Sequence, residues 1–200
     1  SEEQDPAETC HITLLAATRK GYENLCRLIT HGYEIGGRRT PAVPKELLME
    51  HADGLIALSG CRRGEISRLV LTGRYDAARA AALWYRRVFG ERFFIEIQRL
   101  LLPYENHLIH ALAGISSDLG IPLAAANNVH YLDRAGLPTH DILTCVRTLT
   151  KVDQPTPERP LNAEQYLLSP DEFRFRFWDY PEAVAATGRI AAMCDDNTLD

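Results

Sequence analysis

The sequence predicts an α/β fold in which short strands alternate with helices, followed by a helical C-terminal segment. Three observations support this fold class. Four apolar runs of strand length are each followed by segments with helical periodicity. These runs are apolar at consecutive positions, which is typical of parallel strands covered by helices on both faces. From about residue 151 the alternation stops and prolines accumulate. The alternation indicates a parallel sheet, either a barrel or a doubly wound sheet.

The strands and helices can be placed from periodicity and from capping residues. The predicted strands are 11–17, 54–60, 93–99 and 121–127. The predicted helices are 20–32, 44–51, 64–73, 76–90, 103–120 and 139–149. Gly32 is expected to end the first helix and Gly120 the fifth. No GxGxxG or GxxxxGK[ST] motif is present, which weakens the doubly wound, nucleotide-binding alternative.

The C-terminal part is predicted to be a connector followed by helices. KVDQPTPERPLN carries three prolines and separates the α/β part, residues 1–150, from residues 151–200. Beyond it, Ser169 is a predicted helix cap in SPDEFRFRF, and Pro181 lies near the start of a helix in YPEAVAATGRIAAMC. These two helices have little to bury against each other, so we expect them to pack on the α/β part.

Composition limits the possible functions of the chain. Its 200 residues, 46% hydrophobic and 24% charged, make one globular domain or one domain and part of another. The net charge of −5 argues against the whole chain being a nucleic-acid-binding module. Three Arg-Arg pairs, at 38–39, 62–63 and 86–87, are predicted to be solvated residues of loops or helix ends rather than phosphate ligands.

No apolar run has the length of a membrane span, and SEEQDPAE lacks the features of a signal peptide, so we expect no membrane association. The five cysteines are scattered, odd in number and without a CxxC pair. Neither a disulfide framework nor a zinc ribbon is indicated. A reducing cytoplasm is the expected location.

Three residues that could carry chemistry lie next to predicted strands. Cys61 directly follows the second strand and His130 follows the fourth, at the carboxyl edge where parallel α/β folds assemble their sites. His11 begins the first strand, so a parallel arrangement would place it near the opposite edge. A single cysteine or histidine at a strand end is more often structural. Together, a thiolate and imidazoles suit zinc, whereas imidazole with a carboxylate suits zinc, iron or manganese.

Six segments together carry a resemblance to a known family: HITLLAATRKGYENLCRLIT, DGLIALSGCRRGEI, FFIEIQR, PLAAANNVHYL, YLLSPDEF and DYPEAVAATGRIAAMCD. They resemble the PHP (polymerase and histidinol phosphatase) domain of bacterial DNA polymerase III alpha subunits, with SGCRRGE and NNVHY most similar to the error-prone type. The resemblance implies part of a (β/α)7 barrel with metal ions at its strand ends. It also implies that about a third of the barrel would precede Ser1 and that the polymerase's catalytic carboxylates would follow Asp200.

The resemblance also implies a set of metal ligands. Carried over by position, they are His11, Cys61, Asn128 and His130. Asn128 stands where the family usually has Asp, so one anionic ligand is lost, and the family's earlier His-x-His ligands are absent. We therefore expect this chain to bind zinc or manganese weakly or not at all.

Three functions are compatible with these observations. The first is the PHP part of a replicative or error-prone DNA polymerase, reaching DNA through the rest of that enzyme, with a degenerate 3′–5′ exonuclease or phosphoesterase site. The second is a free-standing PHP phosphoesterase, which the polymerase-like tail disfavours. The third is a non-catalytic module that docks other replisome or translesion subunits, which Asn128 favours.

Overall fold

The computed structural model describes residues 9–37 and 41–194. The Arg38–Arg39 pair lies outside the described residues. Four strands and eight α-helices follow one another in the described part. The strands are β1 (Thr13–Ala16), β2 (Leu55–Leu58), β3 (Phe93–Gln98) and β4 (Leu123–Ala126). The helices are α1 (Arg19–Gly36), α2 (Lys45–Glu50), α3 (Glu65–Leu71), α4 (Tyr75–Phe89), α5 (Glu105–Leu119), α6 (Leu137–Thr148), α7 (Pro170–Arg176) and α8 (Pro181–Ala192). The α/β fold class with a helical C-terminal segment is confirmed.

The first helix ends later than predicted. It passes through Gly32, which is buried in the helix, and stops at Gly36, where Gly37 adopts a left-handed φ of 69°. A Cβ placed on Gly32 would lie 3.3 Å from Cγ2 of Val43, so this glycine serves close packing rather than helix termination.

The four strands form one sheet in the order β1-β2-β3-β4. The pairs β2–β3 and β3–β4 are parallel, as predicted. The prediction that all four strands are parallel is wrong for β1, which pairs antiparallel with β2, with Thr13 opposite Leu58 and Ala16 opposite Leu55. The amino end of β1 therefore lies beside the carboxyl end of β2, at the same edge where the parallel strands end.

Helices cover both faces of the sheet. On one face, alternate strand residues such as Leu55, Phe93 and Ile95 pack with apolar residues of α3, α4 and α5. On the other face, α8 supplies Ala186 and Ile190, which pack against residues of β2, β3 and β4. The prediction that the C-terminal helices pack on the α/β part is confirmed. Because both faces are buried, strand residues at consecutive positions are apolar.

Local sequence explains where the C-terminal helices begin. Ser169 forms a capping box with Glu172: the Ser169 side chain accepts from the Glu172 amide and the Glu172 carboxylate accepts from the Ser169 amide. Pro181 occupies the first turn of α8, where a missing amide hydrogen costs nothing. Both predicted helix starts are confirmed.

Candidate functional site

A cleft of about 1130 Å³ opens at the edge of the sheet where β2, β3 and β4 end. Its walls come from the residues before β1, the turn after β2, the loop after β4, the helix α6 and the connector. All four residues predicted as ligands, His11, Cys61, Asn128 and His130, line this cleft. A parallel β1 would have placed His11 near the opposite edge of the sheet. Because β1 is antiparallel, its amino end lies at this edge, and His11 reaches the cleft.

His11 and Cys61 are brought into direct contact. The Sγ atom of Cys61 lies 3.5 Å from Nδ1 of His11, within hydrogen-bonding distance for sulfur. The backbone holds the pair together, because the His11 amide donates to the Arg63 carbonyl over 3.0 Å. Gly60 has a φ of 81°, and a Cβ there would lie 2.9 Å from the His11 carbonyl oxygen. The close approach of the two chains therefore depends on glycine at this position.

His130 has a different partner. Its ring centroid lies 4.8 Å from that of His140, which belongs to α6. Its amide donates to the Gln165 carbonyl over 2.8 Å and so ties the loop after β4 to the connector. Asn128 has a left-handed φ of 45°, a conformation that Asn tolerates better than most residues. Of the predicted ligands, His11 thus contacts Cys61, whereas His130 packs against His140, which was not among them.

Burial and neighbouring positive charges lower the pKa values of both cleft histidines. Burial, followed by the charge of Arg63, lowers the pKa of His11. Burial, followed by the charges of His140 and Arg147, lowers the pKa of His130. Neutral imidazole is the form that binds a metal ion or accepts a proton.

A buried carboxylate lies in the wall of the cleft. Glu96, in the middle of β3, is 5% exposed, and burial raises its pKa. Its Oε1 accepts a hydrogen bond from Gln98, which acts against the effect of burial on its pKa. The amide of Glu96 is held by the Ser59 hydroxyl at 2.9 Å, which joins β3 to the end of β2.

The connector, here taken to include the residues that lead from it to α7, is fastened to the strand ends by two polar residues. Asn127 is buried, and its Nδ2 donates to the carbonyls of Glu164 and Tyr166 over 2.9 and 2.8 Å. Arg176 of α7 donates to Glu164 Oε2 over 2.7 Å, to the Arg99 carbonyl over 3.2 Å and to Asn127 Oδ1 over 3.3 Å. These contacts place the connector as one wall of the cleft.

Sequence reasoning missed several residues of this site. His140, Arg147, Glu96 and Asn127 were not singled out. His140 and Arg147 lie two helical turns apart on α6, which puts them on one face, but nothing in the sequence indicates that this face borders the strand ends. Glu96 offered a signal, since it is the only acidic residue within the apolar strand FFIEIQ.

Comparison with known proteins identifies the family. Residues 2–100 match the family model of the PHP domain. The chain is 46% identical over 201 residues to the error-prone DNA polymerase of Symbiobacterium thermophilum, covering 92% of this chain and 18% of that protein. It is 37% identical to the DNA polymerase III subunit alpha of Borreliella burgdorferi, covering 93% of this chain and 16% of that protein. The Escherichia coli K12 subunit alpha is 34% identical, over 94% of this chain and 16% of that protein.

The chain carries a PHP domain, in agreement with its α/β fold and with the site at its strand ends. More particularly, it belongs with the PHP-containing region of bacterial DNA polymerase III alpha subunits. It spans less than a fifth of the length of these curated relatives. No helix in the described ranges is long and apolar enough to cross a membrane.

PHP domains generally depend on metal ions, so the donors need to be tested against one. Among residues 9–37 and 41–194, no group of three or more His, Cys, Asp or Glu side chains is arranged to hold a metal ion. His11 and Cys61 are in contact, but a stable zinc site needs at least three protein donors. The described residues therefore do not complete a metal site, and we assign no chemical step to a metal.

Proposed function

We propose that this chain is the PHP region of a bacterial DNA polymerase III alpha subunit that acts in DNA replication or error-prone repair synthesis. One observation carries the proposal: similarity to the error-prone polymerase and the alpha subunits extends over more than nine tenths of the chain, and so well past the PHP family match at residues 2–100 and into the segment after residue 151. A free-standing phosphoesterase would not need that segment. The parent enzyme would be a nucleotidyltransferase of the cytoplasm that reaches DNA through its other domains.

Within that polymerase, we propose that the cleft is a degenerate phosphoesterase or 3′–5′ exonuclease site. His11, Cys61, Asn128 and His130 would be the remaining ligands for zinc or manganese. Asn128 offers a neutral amide oxygen where the family usually has a carboxylate, and so it does not neutralise the charge of a cation. We expect metal binding by this chain to be weak.

Metal analysis tests this part of the proposal. After incubation with manganese or zinc and dialysis, the chain should hold much less than one metal ion per molecule, as measured by elemental analysis. Asn128→Asp should raise the metal content, because it restores an anionic donor in the cleft. Asn106→Asp is the matched control: it adds the same charge at an exposed position of α5, outside the cleft lining. Stoichiometric metal in the unmodified chain would refute the degenerate site.

Primer extension tests the polymerase assignment. The full-length parent protein should extend a primed DNA template, whereas the 200-residue chain should not, since it spans less than a fifth of the polymerases that it matches. A parent reading frame that ends near Asp200 and whose product hydrolyses a small phosphate ester would contradict the assignment and favour the free-standing enzyme.

A non-catalytic docking role is a second candidate, favoured by the outer face of α6. Four apolar side chains there are each more than half exposed: Ile142, Leu143, Val146 and Leu149. Exposed apolar clusters of this kind often mark contacts with other proteins. If docking is the main role, Asn128→Asp in the full-length parent should raise neither metal content nor nuclease activity, while Leu143→Ser should weaken co-purification with another replisome or translesion subunit.

A further inference from the structure

We propose that the cleft binds the phosphate groups of a nucleotide strand through Arg63 and Arg147, without requiring a metal ion. The inference rests on the proposed function, because it names the ligand class of the same cleft. Phosphate binding of this kind requires two guanidinium groups, whereas the phosphoesterase site requires a complete set of metal donors.

Five basic side chains line the cleft, and three of them already have partners. Lys45 pairs with Glu65 over 2.6 Å, Arg159 pairs with Asp141, and Arg62 donates to the Pro157 carbonyl over 3.4 Å. The other two are Arg63 and Arg147, which are exposed. Within the described ranges, neither guanidinium forms an ion pair or a hydrogen bond with the protein. Both positive charges are therefore available to a ligand.

Each of these arginines lies beside one of two pairs of side chains, His11 with Cys61 or His130 with His140. The Arg63 carbonyl accepts the His11 amide hydrogen, so Arg63 is fixed next to the His11–Cys61 pair. Arg147 lies on α6 two turns after His140, on the same face of the helix. The two cations thus lie on the two walls that hold the candidate ligands.

The acidic residues of the cleft do not cancel these charges. Glu65 is paired with Lys45, and Glu105 accepts the amide hydrogens of Leu100 and Leu102 over 2.7 and 2.9 Å. Glu96 is buried. Glu158, on the connector, is the remaining exposed carboxylate of the lining. Two available guanidinium groups therefore face one available carboxylate, and the cleft favours an anion although the chain as a whole carries a net charge of −5.

The chemistry of the two arginines selects phosphate among anions. A guanidinium presents planar donors that match two oxygens of a phosphate, and it keeps its charge at every physiological pH. Two such groups on separate walls suit successive phosphates of an extended strand better than a compact carboxylate. Under this proposal Arg63 has a ligand, whereas the sequence predicts only a solvated residue at this position; the binding experiment decides between the two.

Fluorescence anisotropy with a short fluorescein-labelled oligothymidylate, measured in EDTA, tests the inference. The unmodified chain should bind the oligonucleotide, and Arg63→Gln and Arg147→Gln should each weaken binding about tenfold, as expected for the loss of one charge-assisted contact. The affinity should fall less steeply with salt in the double variant. Its slope of log affinity against log salt should be smaller in magnitude by about 1.4, because each lost contact with a phosphate of single-stranded DNA contributes about 0.7. Competition by inorganic phosphate at similar concentrations would indicate a site for free phosphate rather than for a strand, and would overturn the strand assignment.

Arg87→Gln is the matched control, since Arg87 is an exposed arginine of α4 outside the cleft lining. It should leave binding unchanged. Equal loss in all three single variants would mean nonspecific attraction and would refute the inference, as would unchanged binding in the double variant. The two proposals fail separately: stoichiometric metal in the unmodified chain, together with oligonucleotide binding in EDTA, refutes only the degenerate metal site. Weak metal binding, together with unchanged oligonucleotide binding in the double variant, refutes only the role of Arg63 and Arg147.

Discussion

Arg176→Met is expected to destabilise the protein strongly, because Arg176 joins three separate parts of the chain. Its hydrogen bond to Glu164 is charge-assisted and largely shielded from solvent, since the two side chains are 10% and 13% exposed. Such a bond contributes about 1.5–3 kcal/mol, and the bonds to the Arg99 carbonyl and Asn127 Oδ1 add about 0.5–1 kcal/mol each. Arg134 remains to pair with Glu164. We therefore expect a loss of about 3 kcal/mol in the free energy of unfolding, below the upper range for breaking a buried pair.

Urea unfolding at pH 7, followed by circular dichroism, measures this loss. Arg174→Met is the control, because Arg174 lies on the same helix and pairs only with Asp171, at side-chain exposures of 66% and 95%. Arg and Met have similar helix propensities, so the control should cost less than about 0.5 kcal/mol. If Arg176→Met costs no more than Arg174→Met, the contacts of Arg176 do not hold the connector, and the cleft wall must be fixed in another way.

Three further predictions concern stability and association. Burial acts to raise the pKa of Glu164, but hydrogen bonds from Arg134 and Arg176 outweigh it and leave the pKa below its usual 4.5. The protein should therefore lose stability as the pH falls below about 4.5, and Glu164→Gln should flatten this dependence in unfolding curves taken across that range. Gly21→Ala should lower the free energy of unfolding by about 1–3 kcal/mol, because its Cβ would lie 1.9 Å from the Gly54 carbonyl oxygen. Gly188→Ala in α8 should raise it by about 0.5–1 kcal/mol, because a Cβ there meets nothing within 4 Å and alanine favours the helix. Equal melting temperatures for the two variants would contradict this. Because β1 pairs on one side only in the described part of the chain, the 200-residue chain should self-associate at high concentration, and a monomer at every concentration in sedimentation velocity would show that this edge is covered.

The arrangement of the cleft explains why a partial set of ligands can still mark a functional site. The residues before β1, the turn after β2 and the loop after β4 reach the same edge of the sheet, and the connector closes the cleft through Asn127 and Arg176. This wall is built by the segment after residue 151, which lies beyond the residues that match the PHP family model. The domain boundary near residue 150 remains a prediction. The connector that follows it is packed against the strand ends.

Local sequence specified most of the elements of this protein. Apolar runs predicted all four strands, and capping residues predicted where α7 and α8 begin, because such signals act between neighbours along the chain. The first helix shows the limit of these signals. Gly32 has the sequence context of a helix terminator, yet it is a packing position within α1, and contact with a distant segment decides which role a glycine has.

Other features depended on the tertiary structure alone. The apolar pattern of β1 is the same for either strand direction, so only its pairing with β2 reveals that it runs antiparallel and brings His11 to Cys61. In the Asn127–Asn128 pair, the sequence cannot indicate which amide is buried, because this depends on contact with the carbonyls of the distant residues Glu164 and Tyr166. The structure buries Asn127 beneath the connector and leaves Asn128 in the cleft lining. Residue identities and their order thus determined the class of fold and its family, whereas the direction of one strand and the packing of the connector determined which of those residues meet.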